Sequence, residues 1–177
     1  MPNDTQNLPH ARSPESNRFE SIIKSSTVPG LLPKLDDIKT DSLMDLSGWM
    51  AVVHPSAKTR TLTFTHAGAA LSLMQGGPLV GLDYLEMVDP AYKGEAFDST
   101  FLMMTRPCGL WQITPVRFAD GTNGRVEYTG FPAYDEKSQR GVIVFLVLPL
   151  RTPSSGIAVV GHATSWEWLE LRAPSAG

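Results

Sequence analysis

Residues 142–150, VIVFLVLPL, form an unbroken apolar run held between Gly141 and Arg151. A membrane-spanning helix needs about 20 such residues, so this run is too short to cross a bilayer. It is rich in β-branched side chains and has no polar alternation, which is the pattern of a strand buried on both faces in the middle of a sheet. The chain must therefore supply other strands to flank it.

Those partners are legible on both sides. Residues 49–53 and 60–65 read as two strands joined by a turn at 54–58. In the second, Leu62 and Phe64 alternate with Thr61, Thr63 and Thr65, one face buried and one wet. Residues 67–74 are helix-like and stop at Gly76-Gly77-Pro78, and 82–87 fits another short helix. Asp89-Pro90 is a helix start, because Asp caps free amides and Pro at the first position loses no bond. The helix it opens, to Thr105, places Phe97, Phe101 and Met104 at i, i+4 and i+7. Strands at 110–118 and 125–133 follow, joined across Asp120-Gly121 and Asn123-Gly124, with Pro115 marking an edge or a bulge. The run at 141–148 closes the set. The order predicts an α+β fold, a five-stranded antiparallel sheet with short helices and one longer helix packed on one face.

Outside this frame the chain divides simply. Residues 1–17 are polar and proline-bearing and are expected to be a disordered arm. Residues 18–48 form an N-terminal helical extension. Its first helix carries Phe19, Ile22 and Ile23 at i, i+3 and i+4, and a second short helix fits residues 39–46. The main domain spans 49–150, and 151–177 is a tail that keeps Trp166, Trp168, Leu169 and Leu171.

Charge and cysteine content narrow the function classes. The 15 Lys and Arg against 18 Asp and Glu give a net charge of −3 over 177 residues, so no general nucleic-acid partner is expected. Cys108 is the single cysteine, which forbids an internal disulfide and favours a reducing compartment. The first residues have neither the basic start nor the apolar core of a secretory signal. A soluble, cytoplasmic protein without a membrane partner is the expectation.

Residues 32–38, LPKLDDI, resemble the entry segment of a bacterial subfamily of small stand-alone PAS proteins. Residues 64–71, FTHAGAAL, and 79–85, LVGLDYL, are similar to that family's strand, "aGtal" helix and "l-x-G-x-d-l-l" helix. The FLVLPL stretch at 145–150 resembles its final strand. The resemblance covers about two-thirds of the chain by element order. It implies a sensory or regulatory fold whose sheet is cupped by short helices, acting by binding ligands, cofactors or partner proteins and not by catalysis. The flavin branch carries a Gly-x-Asn-Cys-Arg-Phe-Leu-Gln run at the long helix, and haem branches carry a histidine there. Residues 90–105 hold neither pattern, and Cys108 falls after the helix. No flavin or haem is carried over, and the cofactor stays unassigned.

Individual residues leave two readings open. Phe64, Leu71, Phe97, Phe101, Trp111, Ile113, Tyr128 and Val144 are expected to face one interior. That interior is either a ligand pocket, with Tyr128, Trp111 and Thr114 as polar handles, or a filled core. His66 reads as a turn histidine and Cys108 as a buried, inert thiol. Four scattered histidines and one cysteine make no metal site. Asp36, Asp37, Asp83, Glu86 and Asp89 read as helix-capping carboxylates. No phosphate loop or nucleophile elbow is present. The short stretch after Leu150 leaves no room for an output domain, so a signal is expected to leave by association. That association is either a homodimer through Phe19, Ile22 and Ile23 or a contact with a signalling protein. The competing readings are a small pocket enzyme of the cone-shaped α+β type and a ligand-free adaptor.

Overall fold

The structure, a computed structural model, describes residues 9–38, 41–154 and 156–171. Residues 1–8 of the expected arm, the start of the helix expected at 39–46, and the end of the tail lie outside the described residues.

The apolar run becomes β5 (Arg140–Pro149), flanked by β1 (Met50–Ser56) and β4 (Asn123–Asp135). β2 (Thr61–Ala67) pairs outside β1, and β3 (Cys108–Phe118) pairs outside β4, all antiparallel. Ile143, Val144 and Leu146 are 0–1% exposed, so the strand is buried on both faces as its composition requires. Between β2 and β3 run α3 (Ala69–Gln75), two 3-10 turns at Tyr84–Glu86 and Pro90–Tyr92, and α4 (Lys93–Thr105). α3 ends on Gly76 at φ 84°, the left-handed position that glycine occupies without a Cβ penalty. Asp89 accepts from the Ala91 amide at 2.9 Å, the cap expected of Asp-Pro.

Three expectations need correction. The first concerns the turn at 54–58. β1 runs on through His54, Pro55 and Ser56, which pair with Thr63, Leu62 and Thr61. Its pairing with β5 stops at Val53, so Pro55 sits where one edge is already open and its missing N–H breaks no ladder there.

The second concerns strand number. The sheet has seven strands, since the tail contributes β6 (Ile157–Val160) and β7 (Ser165–Glu170), both paired antiparallel to β3. β7 covers residues 108–113 of β3 and β6 covers 116–118. Pro115 lies at the break. It has no N–H to offer the tail, and the chain instead loops through 161–164, with Gly161 and Thr164 donating to the Pro115 and Ile113 carbonyls at 2.8 Å each.

The third concerns the helices, which cover both faces. α1 (Pro14–Ser25), α2 (Leu35–Ile38) and a 3-10 segment at Asp41–Trp49 pack on the face opposite α3 and α4, and two separate apolar clusters result. The expected disordered arm is helical from Pro14. Ser13 caps that helix by accepting from the Ser16 amide at 3.1 Å, with Pro14 at the first position. The arm before it is also engaged: the Ser13 amide donates to Glu127 Oε1 at 3.0 Å, and the His10 ring stacks on Trp111. Phe19 and Ile23 are fully buried in the chain's own core, with Phe19 edge-on to Phe131 at 6.0 Å. The stripe expected to pair two copies is spent on this intramolecular contact, because the sheet's second face is itself apolar and needs a cover.

Candidate functional site

Strand parity sorts the side chains. On β3, Leu110, Gln112 and Thr114 point to the α3–α4 face, and Trp111 and Ile113 point to the α1 face. On β5, Ile143, Phe145 and Val147 take the first face and Val142, Val144 and Leu146 the second. The eight residues expected to share one interior are therefore divided. Trp111, Ile113 and Val144 lie under α1. Phe64, Leu71, Phe97, Phe101 and Tyr128 lie on the opposite face. A period-2 strand cannot aim Trp111 and Thr114 at one place, since they are an odd number of residues apart.

The α1 face is filled. The α3–α4 face encloses a cavity of about 110 Å³, well above the roughly 10–15 Å³ that one water needs. Phe64, Leu71 and Tyr128 line it. Phe97 and Phe101 do not; they stack on each other at 5.6 Å, and the Arg60 guanidinium sits 4.5 Å over the Phe97 ring. The cavity floor is the sheet: Ala51 and Val53, Phe145 and Val147, Tyr128, and the β3 row Leu110, Gln112 and Thr114. Gly130 permits part of this surface. A Cβ there would stand 2.5 Å from Phe145 Cε1, so only glycine lets that ring lie across β4. Leu71, Met74, Leu79, Tyr84 and Val88 form the roof.

The tail forms the end wall. Ile157, Val160, Gly161, His162 and Ala163 all line the cavity. They are held by Val160 N donating to Met87 O at 2.7 Å, Asp89 N to Val160 O at 2.9 Å, and Gln75 Nε2 to Ile157 O at 3.0 Å. The loop forced by Pro115 thus places His162 at the rim. Its Nε2 lies 3.0 Å from Glu95 Oε1 and its ring 4.8 Å from that of Tyr92.

Polar chemistry inside is sparse. Ser99 and Thr100 turn their hydroxyls back to the Ala96 carbonyl, at 3.2 and 2.8 Å. Tyr84 and Tyr128 meet edge-on, with ring centroids 6.3 Å apart. Burial pushes Tyr84 up to about 12, with Tyr128 opposing, and burial raises Tyr128 as well. Thr114 is 1% exposed, and its Oγ1 has no hydrogen-bond partner. Burial raises the Cys108 thiol above its ordinary value despite Arg106, which fits an inert cysteine. His66 is exposed on the edge strand β2, away from the cavity lining. Among the described residues, no group of three or more His, Cys, Asp or Glu could hold a metal ion, and no helix is long and apolar enough to cross a membrane. Reading the sequence missed Gln112, Glu95, Tyr92 and His162. Parity along β3 would have found Gln112 beside Thr114; nothing local marks the rim residues, which meet only through the tail.

No family model matches the chain, and no curated protein matches it. Among solved structures, the PAS domain of a protein from Colwellia psychrerythraea is similar at 13% identity and a TM-score of 0.42, over 58% of this chain and 86% of that one. The VqmA dimer of Vibrio cholerae, a LuxR-type receptor solved in the absence of its target DNA, is similar at 18% identity and a TM-score of 0.46, over 67% of this chain. That match spans about half (53%) of the VqmA chain. Both are loose likenesses. Five strands of this chain's sheet run in the order β2-β1-β5-β4-β3, with the helices inserted between β2 and β3.

Proposed function

We propose that the chain is a non-enzymatic sensory or regulatory module of PAS type that binds a small molecule in the cavity between the sheet and α3–α4. The observation that carries this reading is the asymmetry of packing. One face of the sheet is filled, while the other keeps a mostly apolar, walled cavity with few polar groups, the usual make-up of a small-molecule site. Such a void costs stability, so a ligand that fills it has free energy to gain.

A proton-transfer enzyme would have to use Glu95 and His162, the one carboxylate and one imidazole among the lining residues, and both sit at the rim. The interior offers tyrosines held neutral, which favours binding over acid–base work near neutral pH. Output would leave through the roof: α3 buries Leu71 and Met74 and presents Leu73 to solvent at 82% exposure. A partner protein or a second copy reading that surface would sense whether the cavity is occupied.

The test is native against denaturing mass spectrometry of freshly purified protein. A small molecule present in the first and lost in the second, and retained less by a Val147→Trp variant that plugs the cavity, supports the reading. A bare chain whose melting temperature no small-molecule library shifts removes it and leaves the adaptor.

A further inference from the structure

Thr114 lines the mostly apolar cavity and carries a polar group without a hydrogen-bond partner. Its side chain is 1% exposed, it lines the cavity from the middle of β3, and its Oγ1 has no hydrogen-bond partner. A buried hydroxyl left this way is unfavourable in the empty state, so natural structures seldom retain one without a use. The other interior hydroxyls differ. Ser99 and Thr100 are bonded to their own helix, and the two tyrosine rings meet edge-on. Gln112 stands two residues from Thr114 on the same strand face and lines the same wall, so the polar edge of the cavity is one short stripe on β3.

The charge of the lining points the same way. It holds no Lys or Arg, and its formal negative charge is Glu95 at the rim. An anionic molecule would pass a carboxylate on entry and then meet no Lys or Arg side chain inside. The burial that raises the Tyr84 and Tyr128 phenols would also disfavour a negative charge on a ligand.

We infer that the cavity is specific for an uncharged small molecule, apolar in body, whose single hydrogen-bonding edge engages Thr114 Oγ1, and that it rejects organic anions. This rests on the cavity being the sensory site proposed above. Phosphorylated nucleotides and carboxylate-bearing cofactors fall outside the class.

The experiment uses a matched pair of probes of the same shape, benzamide and benzoate, titrated to millimolar concentration into the full chain and followed by amide NMR shifts at residues 110–116 and 126–130. Benzamide should shift these amides, with benzoate binding at least about tenfold more weakly. Thr114→Val, equal in shape but without the hydroxyl, should melt higher than the parent when ligand-free and bind benzamide roughly 2–10-fold more weakly, the value of one hydrogen bond. Thr114→Ser should keep the affinity. Benzoate binding as tightly as benzamide at the same amides would overturn the neutral class while leaving a ligand site standing. Unchanged benzamide affinity in Thr114→Val would remove Thr114 as the anchor. If neither probe shifts the cavity amides, the inference and the site reading fall together.

Discussion

The two faces of one sheet are covered by helices of similar size, yet they are packed to different ends. Under α1 the interface is filled: Phe19, Ile23, Ile38, Phe131 and Val144 are all fully buried. Its polar groups are only partly paired: Glu127 Oε1 accepts from Trp111 Nε1 at 2.7 Å and from the Ser13 amide, and Ser16 Oγ lies 2.7 Å from Thr129 Oγ1, while Glu127 Oε2 and Arg12 Nε have no hydrogen-bond partner. Under α3 and α4 the cover leaves a cavity, with the orphaned Thr114 hydroxyl among its lining residues. Filling a face maximises stability; leaving it open costs stability and creates a place to bind. The α1 face is thus the more closely packed of the two, and the α3–α4 face the one that leaves a cavity.

The difference is sharpest on β5, where neighbouring residues report on opposite faces. Leu146→Asp places a charge on the filled face with no partner, at a cost of roughly 3–5 kcal/mol. Chemical denaturation should find that variant largely unfolded, and near-parental stability would refute the filled face. Overpacking comes next. Ala133, fully buried on the α1 face, should not accept Leu, and Ala133→Leu is expected to lose about 1–3 kcal/mol. Ala96 lines the cavity, so Ala96→Leu should leave the melting temperature level or raise it. Equal losses in both variants would mean the two faces are packed alike.

A smaller effect is expected from isosteric hydroxyls. Val144→Thr on the filled face should cost about 1–2 kcal/mol, because its hydroxyl finds neither partner nor water. Val147→Thr faces the cavity, where water fits, and should cost less; the two denaturation midpoints decide the order.

The smallest effect concerns the arm and pH. Burial alone would push the Glu20 carboxyl up, but hydrogen bonds from Lys24 and Arg12 outweigh it and hold it below 4.5. A depressed carboxylate stabilises the fold above its unfolded value and loses that contribution as pH falls through the folded one. Parent and Glu20→Gln should therefore differ in melting temperature at neutral pH, by the equivalent of under about 1 kcal/mol, and converge below pH 4.5. A gap that persists in acid would show that Glu20 acts through packing alone.

Local pattern alone determined much of this protein. The doubly apolar β5, the alternating β2, the Asp89-Pro90 start, the glycine stop after α3 and the amphipathic stripe of Phe19 and Ile23 all follow from periodicity and capping, which act over a few residues. The class was legible for the same reason, because element order is the sum of such local choices. Which surfaces those elements would cover was decided only in three dimensions. A strand apolar on both faces demands two covers, but nothing local says that the second is α1 and not another copy of the chain. The tail's strands are short, and their burial comes from β3, a partner more than forty residues upstream for Trp166 and its neighbours. The cavity was the least visible feature. It is a volume that side chains fail to fill, and its lining from β1 to the His162 loop is brought together by pairings of high sequence separation, which no window of the sequence contains.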